Sequence, residues 1–523
     1  MDCLPALVTS SDLLPGQGVL NGRRWVGHAL LHAWGKASGS RPLALAAATG
    51  SLLPELLPGL RAQGFHGDLH HLGLLDPAVV IPWGGLFLPD PSIGRWAHWR
   101  RPVGAAAFSL IGQIHTLSTP AAIGYLQDLC TEPLNHWDAL ICSSTAGKSV
   151  VEALIDDREQ QLLSRTGGNR EYLRQHRPQL PVIPLPVPVQ ATVAALPAKL
   201  AARQALGISP DAAVVLWLGR LSFLTKLDPW PGYQLLERVA CQLKQSLVFI
   251  ECGPDDTPEQ AEQLQILRQL VPHVKFLRLG GAEGVTELVK HQALAAADVA
   301  LSLVDNTQET FGLSLVEAMA AGLPIVASDW DGYRDLVRHG IDGFLVPSQW
   351  ASSAAAVSFP LAWQQLIGLQ SYPAIAGAFA QLVQIDLAFA ETALLCLLLD
   401  RKLSSAMGNL ARKRALACFD AQQVMQQYEA LFAELADRRA TAPSSAREPA
   451  RLPLALDPVT AFSGFASAPP APPAVAETAD LDNLPMTLRQ ARHGLWQILL
   501  NSSPEGNRTA LLADLLRKHQ WPA

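Results

Sequence analysis

At 523 residues, with 49% hydrophobic and 16% charged residues and a formal net charge of -6, the chain has the composition of a globular protein of two or three domains, each able to bury its own core. Nothing in that balance points to nucleic acid, for which a strongly basic domain would be expected, and the acidic excess argues against it. The seven cysteines are odd in number and scattered, without C-x-x-C spacing, so they read as reduced thiols of a cytosolic protein, and no uninterrupted apolar run is long enough to span a bilayer.

The opening residues, MDCLPALVTSSD, lack a basic stretch followed by an apolar core, so no secretory signal is expected. Pro5 to Thr9 reads as a strand running into a glycine-rich loop, 14–22, and Arg24 to Trp34 carries apolar residues at helical spacing. This is a Rossmann-like opening, although its G-x-G-x-x-x-G spacing is not the dinucleotide fingerprint. Gly16 and Gly18 either let strand and helix pack or line a ligand site. Further strands are expected at 43–48 and 79–82, with a helix over 52–63. Between them FHGDLHH, 65–71, reads as a solvated turn, because no second cluster completes a metal ligand set. RWAHWRR, 95–101, reads either as a loop with partly buried tryptophans or as a surface that rests on a membrane or grips a lipid-linked or phosphorylated acceptor. Phe108 to Leu117 is a strand ending in a polar loop, the edge at which open α/β sheets bind ligands, and His115 lies there. A strand over 138–144 leads into a helix over 146–155. PVIPLPVPV, 181–189, has too much proline for an interior strand and too little polarity for a tether, so it reads as a stiff connector between domains.

Beyond it, a helix over 197–206 and a strand over 213–218 precede GRLSFLTK, Gly219 to Lys226. Strands follow at 247–254, 274–279 and 297–304. The last of these enters ETFGLSLVEAMAAG, Glu309 to Gly322, a loop turning into a short helix before the strand 323–328. Without a Cβ, Gly312 lets the amides at the helix entrance approach an anionic or hydroxylated ligand. Glu309 then lies in the loop and Glu317 about one turn into the helix. Residues 350–389 read as a helical insertion, 406–435 as two helices, 440–477 as a disordered linker, and 484–500 with 509–519 as two amphipathic helices.

ETFGLSLVEAMAAG followed by LPIVAS resembles the E-x7-E signature of the family 4 retaining glycosyltransferases, which have the GT-B fold. GRLSFLTK resembles that family's G-R-L-x-x-x-K-G segment, with the lysine one residue later and Leu227 in place of the closing glycine. The segment 329–335, DWDGYRD, departs from the family's G-G-x-x-E pattern. The resemblance covers roughly 105–436 and implies an α/β chain with two Rossmann-like domains facing a cleft. Residues 1–189 would form the acceptor side and 190–415 the nucleotide-sugar side, with helices 416–436 crossing back, a linker over 437–480 and a helical tail over 481–523. By the same resemblance, Arg220 and Lys226 would stabilise the departing diphosphate, His115 would line the reacting face and Glu309 would hold donor sugar hydroxyls. Glu317 would hold the ribose, Gly219 and the amides near Phe311, Gly312 and Leu313 would border the donor, and Gly16 and Gly18 would shape the acceptor side. The implied co-substrate is a UDP-, GDP- or ADP-sugar, with no resident cofactor or metal and no nucleic-acid partner. The implied acceptor is a saccharide or lipid-linked molecule of polysaccharide, lipopolysaccharide or glycolipid assembly, met at the cytoplasmic membrane face with peripheral contact. Two alternatives stay open: a catalytically silent scaffold that binds nucleotide sugar, and another GT-B enzyme such as a phosphorylase or epimerase.

Overall fold

In a computed structural model of the chain, the described residues are 3–9, 22–47, 50–443, 447–448, 457–467, 486–502 and 508–518. Unalternating runs of Ala, Leu, Val and Ile need burial on both faces, and they find it in parallel sheets covered by helices. β1 (Ala6–Val8), β2 (Leu43–Ala47), β3 (Leu69–Gly73), β4 (Gly85–Leu88), β5 (Ser109–Gln113) and β6 (Ala139–Ile141) form one sheet in the order β3-β2-β1-β4-β5-β6. β7 (Ala213–Leu218), β8 (Leu247–Pro254), β9 (Val274–Gly281), β10 (Val299–Ser302), β11 (Ile325–Ser328) and β12 (Gly343–Val346) form a second, ordered β12-β11-β10-β7-β8-β9. Every neighbouring pair in both sheets is parallel. Two such Rossmann-like units are the GT-B architecture.

The two sheets are joined by adjacent crossings. The proline-rich connector first adds to the edge of the first sheet through bridges at Gln179 and Val182, then pairs Val187 with Asp420. Val187 N–H donates to Phe419 O at 3.1 Å and Ala421 N–H to Val187 O at 2.8 Å, so the outgoing and returning chains are hydrogen-bonded side by side. The returning helix, Ala421–Ala440, packs on the first sheet. There Trp34, Phe87, Tyr428 and Phe432 form one aromatic cluster, with Trp34 and Phe87 rings 4.6 Å apart, and Gln113 Nε2 donates to the buried Tyr428 hydroxyl at 2.6 Å. Truncating any of these rings should cost about 3–5 kcal/mol.

Several sequence expectations fail locally, each for a visible reason. Residues 79–82 are not a strand: Asp76 accepts the Ala78 N–H at 2.8 Å, Pro77 suits a first helical position, and the chain makes a 3-10 helix, Pro77–Trp83, before β4. The segment 65–71 is only partly a turn, because His70 and His71 enter edge strand β3, where a His71 ring nitrogen lies 3.1 Å from Ala47 O. RWAHWRR is mostly a helix, Ile93–Arg100, rather than a loop. Arg100 is fully buried and forks onto Asp138 at 2.6 and 2.8 Å, Arg95 lies 4.6 Å over the Tyr125 ring, and Arg101 pairs with Glu448. Trp96 and Trp99 are partly buried against the first core, so the segment turns inward.

The insertion carries a two-stranded antiparallel ribbon, β13 (Ser348–Trp350) with β14 (Val383–Ile385), enclosing helices Ala354–Leu366 and Tyr372–Ala380. Of the expected linker, Pro458–Ala461 is a helical turn, and most of the remainder lies outside the described residues. Met1–Pro453 is one compact unit and Leu454–Ala523 another. The second contains helices Met486–Ser502 and Arg508–Lys518, with Trp496, Ala513 and Leu515 buried. Among the described residues no helix is long and apolar enough to cross a membrane.

Candidate functional site

Loops leaving the carboxyl ends of β5, β7, β8, β9 and β10 converge on a cavity of about 350 Å³, the position that open parallel sheets reserve for ligands. Its lining includes His115 from the first sheet and Gly219, Arg220, Lys226, Glu309, Phe311, Leu313 and Glu317 from the second. Gly312 stands beside it as the N-cap of the helix Leu313–Ala320, with φ 106°. Gly16 and Gly18 lie outside the described residues.

Close backbone approach builds the floor. A Cβ on Gly253, at the end of β8, would lie 2.0 Å from Gly219 O, so the turns after β7 and β8 touch main chain to main chain. At the helix entrance a Cβ on Gly312 would lie 2.5 Å from the Tyr333 ring, and the fully buried Tyr333 hydroxyl is 2.8 Å from Ser302 Oγ on β10. The atypical segment 329–335 is thus the backing of the Glu309–Gly322 stretch. Gly332 completes it, since a Cβ there would meet Thr310 O at 2.4 Å. Asp331 holds the left-handed φ of 38° and accepts the Gly332 N–H. Burial, reinforced by the nearby Glu309 carboxylate, pushes its carboxyl well above the usual range. Asp335 instead crosses to the first half, accepting from Thr145 N–H at 2.5 Å and its hydroxyl at 2.7 Å. Arg334 pairs with Asp329 at 3.1 Å and does not line the cavity.

The charged groups meet as opposites. Lys226 Nζ donates to Glu309, so the one-residue offset in GRLSFLTK still delivers the lysine to the glutamate. Burial alone would raise the Glu309 carboxyl, but Lys226 and the amides of Phe311 and Thr310 outweigh it and hold it below the ordinary value. Arg220 Nη1 donates to Asp256 at 2.8 Å, and Asp256 also accepts from Ser222 Oγ at 2.7 Å. Burial would raise Asp256 too, yet the Ser222 hydroxyl and the Arg220 guanidinium prevail and lower it. Lys290, from the helix Glu287–Ala296, donates to Glu317 at 2.8 Å. Sequence reasoning missed Lys290: Glu287 and Lys290 are spaced as a helical pair, but nothing in that spacing points to Glu317. It also missed Thr225, Gln308 and Ser314, which line the cavity as well. The result is a cavity in which Arg220, Lys226 and Lys290 are each countered by a carboxylate, beside a set of helix-entrance amides. Such a site suits a ligand with both phosphates and hydroxyls.

Residues 212–361, all of the second sheet and part of the insertion, match the family described as Glycosyl transferases group 1. The D-inositol 3-phosphate glycosyltransferase of Geodermatophilus obscurus is 34% identical over 181 residues, 32% of this chain and 38% of that protein. That of Thermobispora bispora is 30% identical over 174 residues, 30% of this chain and 37% of the relative. The chain therefore spans less than two fifths of the length of these curated relatives. Among solved structures, a glycosyltransferase from Rickettsia africae superposes with a TM-score of 0.50 at 12% identity, covering 83% of this chain and 99% of that one, a likeness of fold. The chain is a GT-B-fold protein related to the glycosyl transferases of group 1.

Proposed function

We propose that the protein transfers a sugar from a nucleotide-diphosphate sugar to a hydroxylated acceptor, with retention at the anomeric carbon. The observation that carries this reading is the convergence of Arg220 and Lys226 with Glu309, Glu317 and His115 on one cavity. A diphosphate leaving group gains negative charge as the glycosidic bond breaks, and fixed cations facing it lower that barrier without reorganising. Arg220, oriented by Asp256, and Lys226, oriented by Glu309, would serve that role. Glu309 would also hold donor sugar hydroxyls and Glu317 the ribose, with the amides of Phe311 to Leu313 against sugar or phosphate and Gly219 bordering the diphosphate. His115 would face the reacting carbon from the first half, residues 1–189, while 190–415 hold the donor. The names of the sequence relatives support glycosyl transfer, and an acceptor of polysaccharide, lipopolysaccharide or glycolipid assembly fits the same reading.

Proton NMR with a panel of UDP-, GDP- and ADP-sugars tests it, following saturation transfer to the ligand and release or transfer of the sugar with its anomeric configuration. Binding and consumption of one donor, with α-configured product from an α-linked donor, are expected, and both should disappear in Glu317→Ala. A donor that binds and is never consumed with acceptors present would favour a nucleotide-sugar-binding scaffold.

A further inference from the structure

The insertion 348–385 lies far in sequence from the site, yet its second helix delivers a side chain to the cleft. Tyr372, the first residue of the helix Tyr372–Ala380, has its hydroxyl 2.7 Å from Ser118 Oγ and donates to Gln308 Oε1 at 3.2 Å. Ser118 is three residues beyond His115, in the loop leaving the first sheet. Gln308 is the neighbour of Glu309, in the loop leaving the second. A single phenol thus joins the two loops that carry the facing halves of the site.

The helix behind Tyr372 is held in place. Asn306 Nδ2 donates to Leu224 O at 3.1 Å, and a Cβ on Gly377 would lie 3.1 Å from Leu224 Cα, so the helix sits directly on the loop between Arg220 and Lys226. Asn306 Oδ1 also accepts the Gln308 N–H at 2.9 Å. Burial raises the Tyr372 phenol above the ordinary tyrosine value, so the hydroxyl keeps its proton and remains a donor throughout the neutral range.

We propose that Tyr372 is a positioning residue of the transfer site, setting the Gln308–Glu309 loop against the His115–Ser118 loop through its bridge to Gln308 and Ser118. The catalytic half of this inference rests on the transferase reading; the structural half does not. Tyr372 acts through Gln308, beside Glu309, and through Ser118, three residues beyond His115. Its hydroxyl fixes the distance across the cleft, on which alignment of donor and acceptor depends.

The test uses the full chain as Tyr372→Phe, Ser118→Ala and the double variant, each first matched to wild type in thermal midpoint. Hydrogen exchange without added ligand should quicken about fivefold, the weight of one hydrogen bond, in both 115–119 and 305–312 for Tyr372→Phe. The double variant should be no faster than Tyr372→Phe alone, because both changes break one bridge. With the donor found to be consumed, kcat should fall about fivefold to tenfold for Tyr372→Phe with donor KM within about twofold. Unchanged exchange in either segment, or additive effects in the double variant, overturns the bridge. Altered exchange with unchanged kcat overturns the positioning role. If no donor is consumed by wild type, the transferase reading and the catalytic half fall together, and exchange alone still decides the bridge.

Discussion

Lys290 Nζ stands 2.8 Å from Glu317 Oε1 and 2.8 Å from Glu287 Oε1, so one ammonium secures the glutamate that the donor reading assigns to the ribose. Burial alone would lower this lysine, but the two carboxylates, Glu317 foremost, outweigh it and raise it above the ordinary value. Its charge therefore persists through the neutral range. Lys290→Met should leave the nearly buried Glu317 uncompensated, lowering stability by about 1–3 kcal/mol and donor affinity about tenfold. Adding Glu317→Gln should recover stability but not affinity. Urea unfolding and a donor titration on the three proteins check this; recovery of both would deny Glu317 a ligand role.

Arg220 is oriented by Asp256 but remains about one-third exposed toward the cavity, with 32% of its side chain accessible. On the proposed mechanism its charge matters most as the diphosphate departs. Arg220→Ala should then lower kcat about a hundredfold while the donor Kd changes by less than about threefold. Asp256→Asn, which keeps the cation and loosens it, should lose less. Steady-state kinetics with a separate binding titration distinguish the two, and a loss confined to affinity would remove Arg220 from leaving-group stabilisation.

How far the sequence discloses the site follows from how local each contact is. Glu309, Gly312 and Glu317 are legible because strand, loop and helix succeed one another within one short stretch, and the glycine marks a backbone that side chains cannot adopt. Arg220 and Lys226 follow from the same kind of strand-end loop. Lys290 and Tyr372 are not legible: each reaches the cleft by tertiary packing from a helix whose own periodicity records only burial. Arg100 misleads for a related reason, since its long-range partner Asp138 draws a segment read as loop into a buried helix. At 79–82 the apolar run imitates a strand, and only the Asp76 cap and the flanking prolines disclose the 3-10 helix.

Gly312 combines a left-handed φ of 106° with a ring directly beneath it, since an added Cβ would stand 2.5 and 2.8 Å from Tyr333 carbons. Tyr333 is fully buried and has no room to retreat. Gly312→Ala should cost about 1–3 kcal/mol by overpacking, with backbone strain in addition, and should abolish detectable donor saturation transfer because the helix-entrance amides shift. Gly322→Ala makes a useful comparison: its φ is also positive, at 76°, but the added methyl meets the Arg412 side chain, away from the cavity. It should lose stability while retaining donor binding. Equal binding by both variants would show that the entrance geometry does not matter to the ligand.

Asp305 supplies the pH dependence. It is 2% exposed, accepts the Asp228 N–H at 3.1 and 3.2 Å, and so ties the loop after β10 to the loop after β7. Burial, with the Asp228 carboxylate nearby, pushes its carboxyl up to about 8 against the opposing backbone hydrogen bonds. The unfolded chain would ionise it near 3.9. Between about pH 4 and 8 the folded state therefore holds a proton that the unfolded state has released, and stability falls as pH rises, by at most about 1.4 kcal/mol per unit from this group. Below that window both states are protonated and above it both are ionised, so the slope vanishes. Asp305→Asn retains an acceptor for Asp228 N–H and cannot ionise; its stability relative to wild type should rise steadily from pH 5 to pH 8. Urea unfolding at four pH values measures the difference. A difference that stays flat would mean that Asp305 is already ionised in the folded protein at pH 5, and that charge is tolerated beside Asp228.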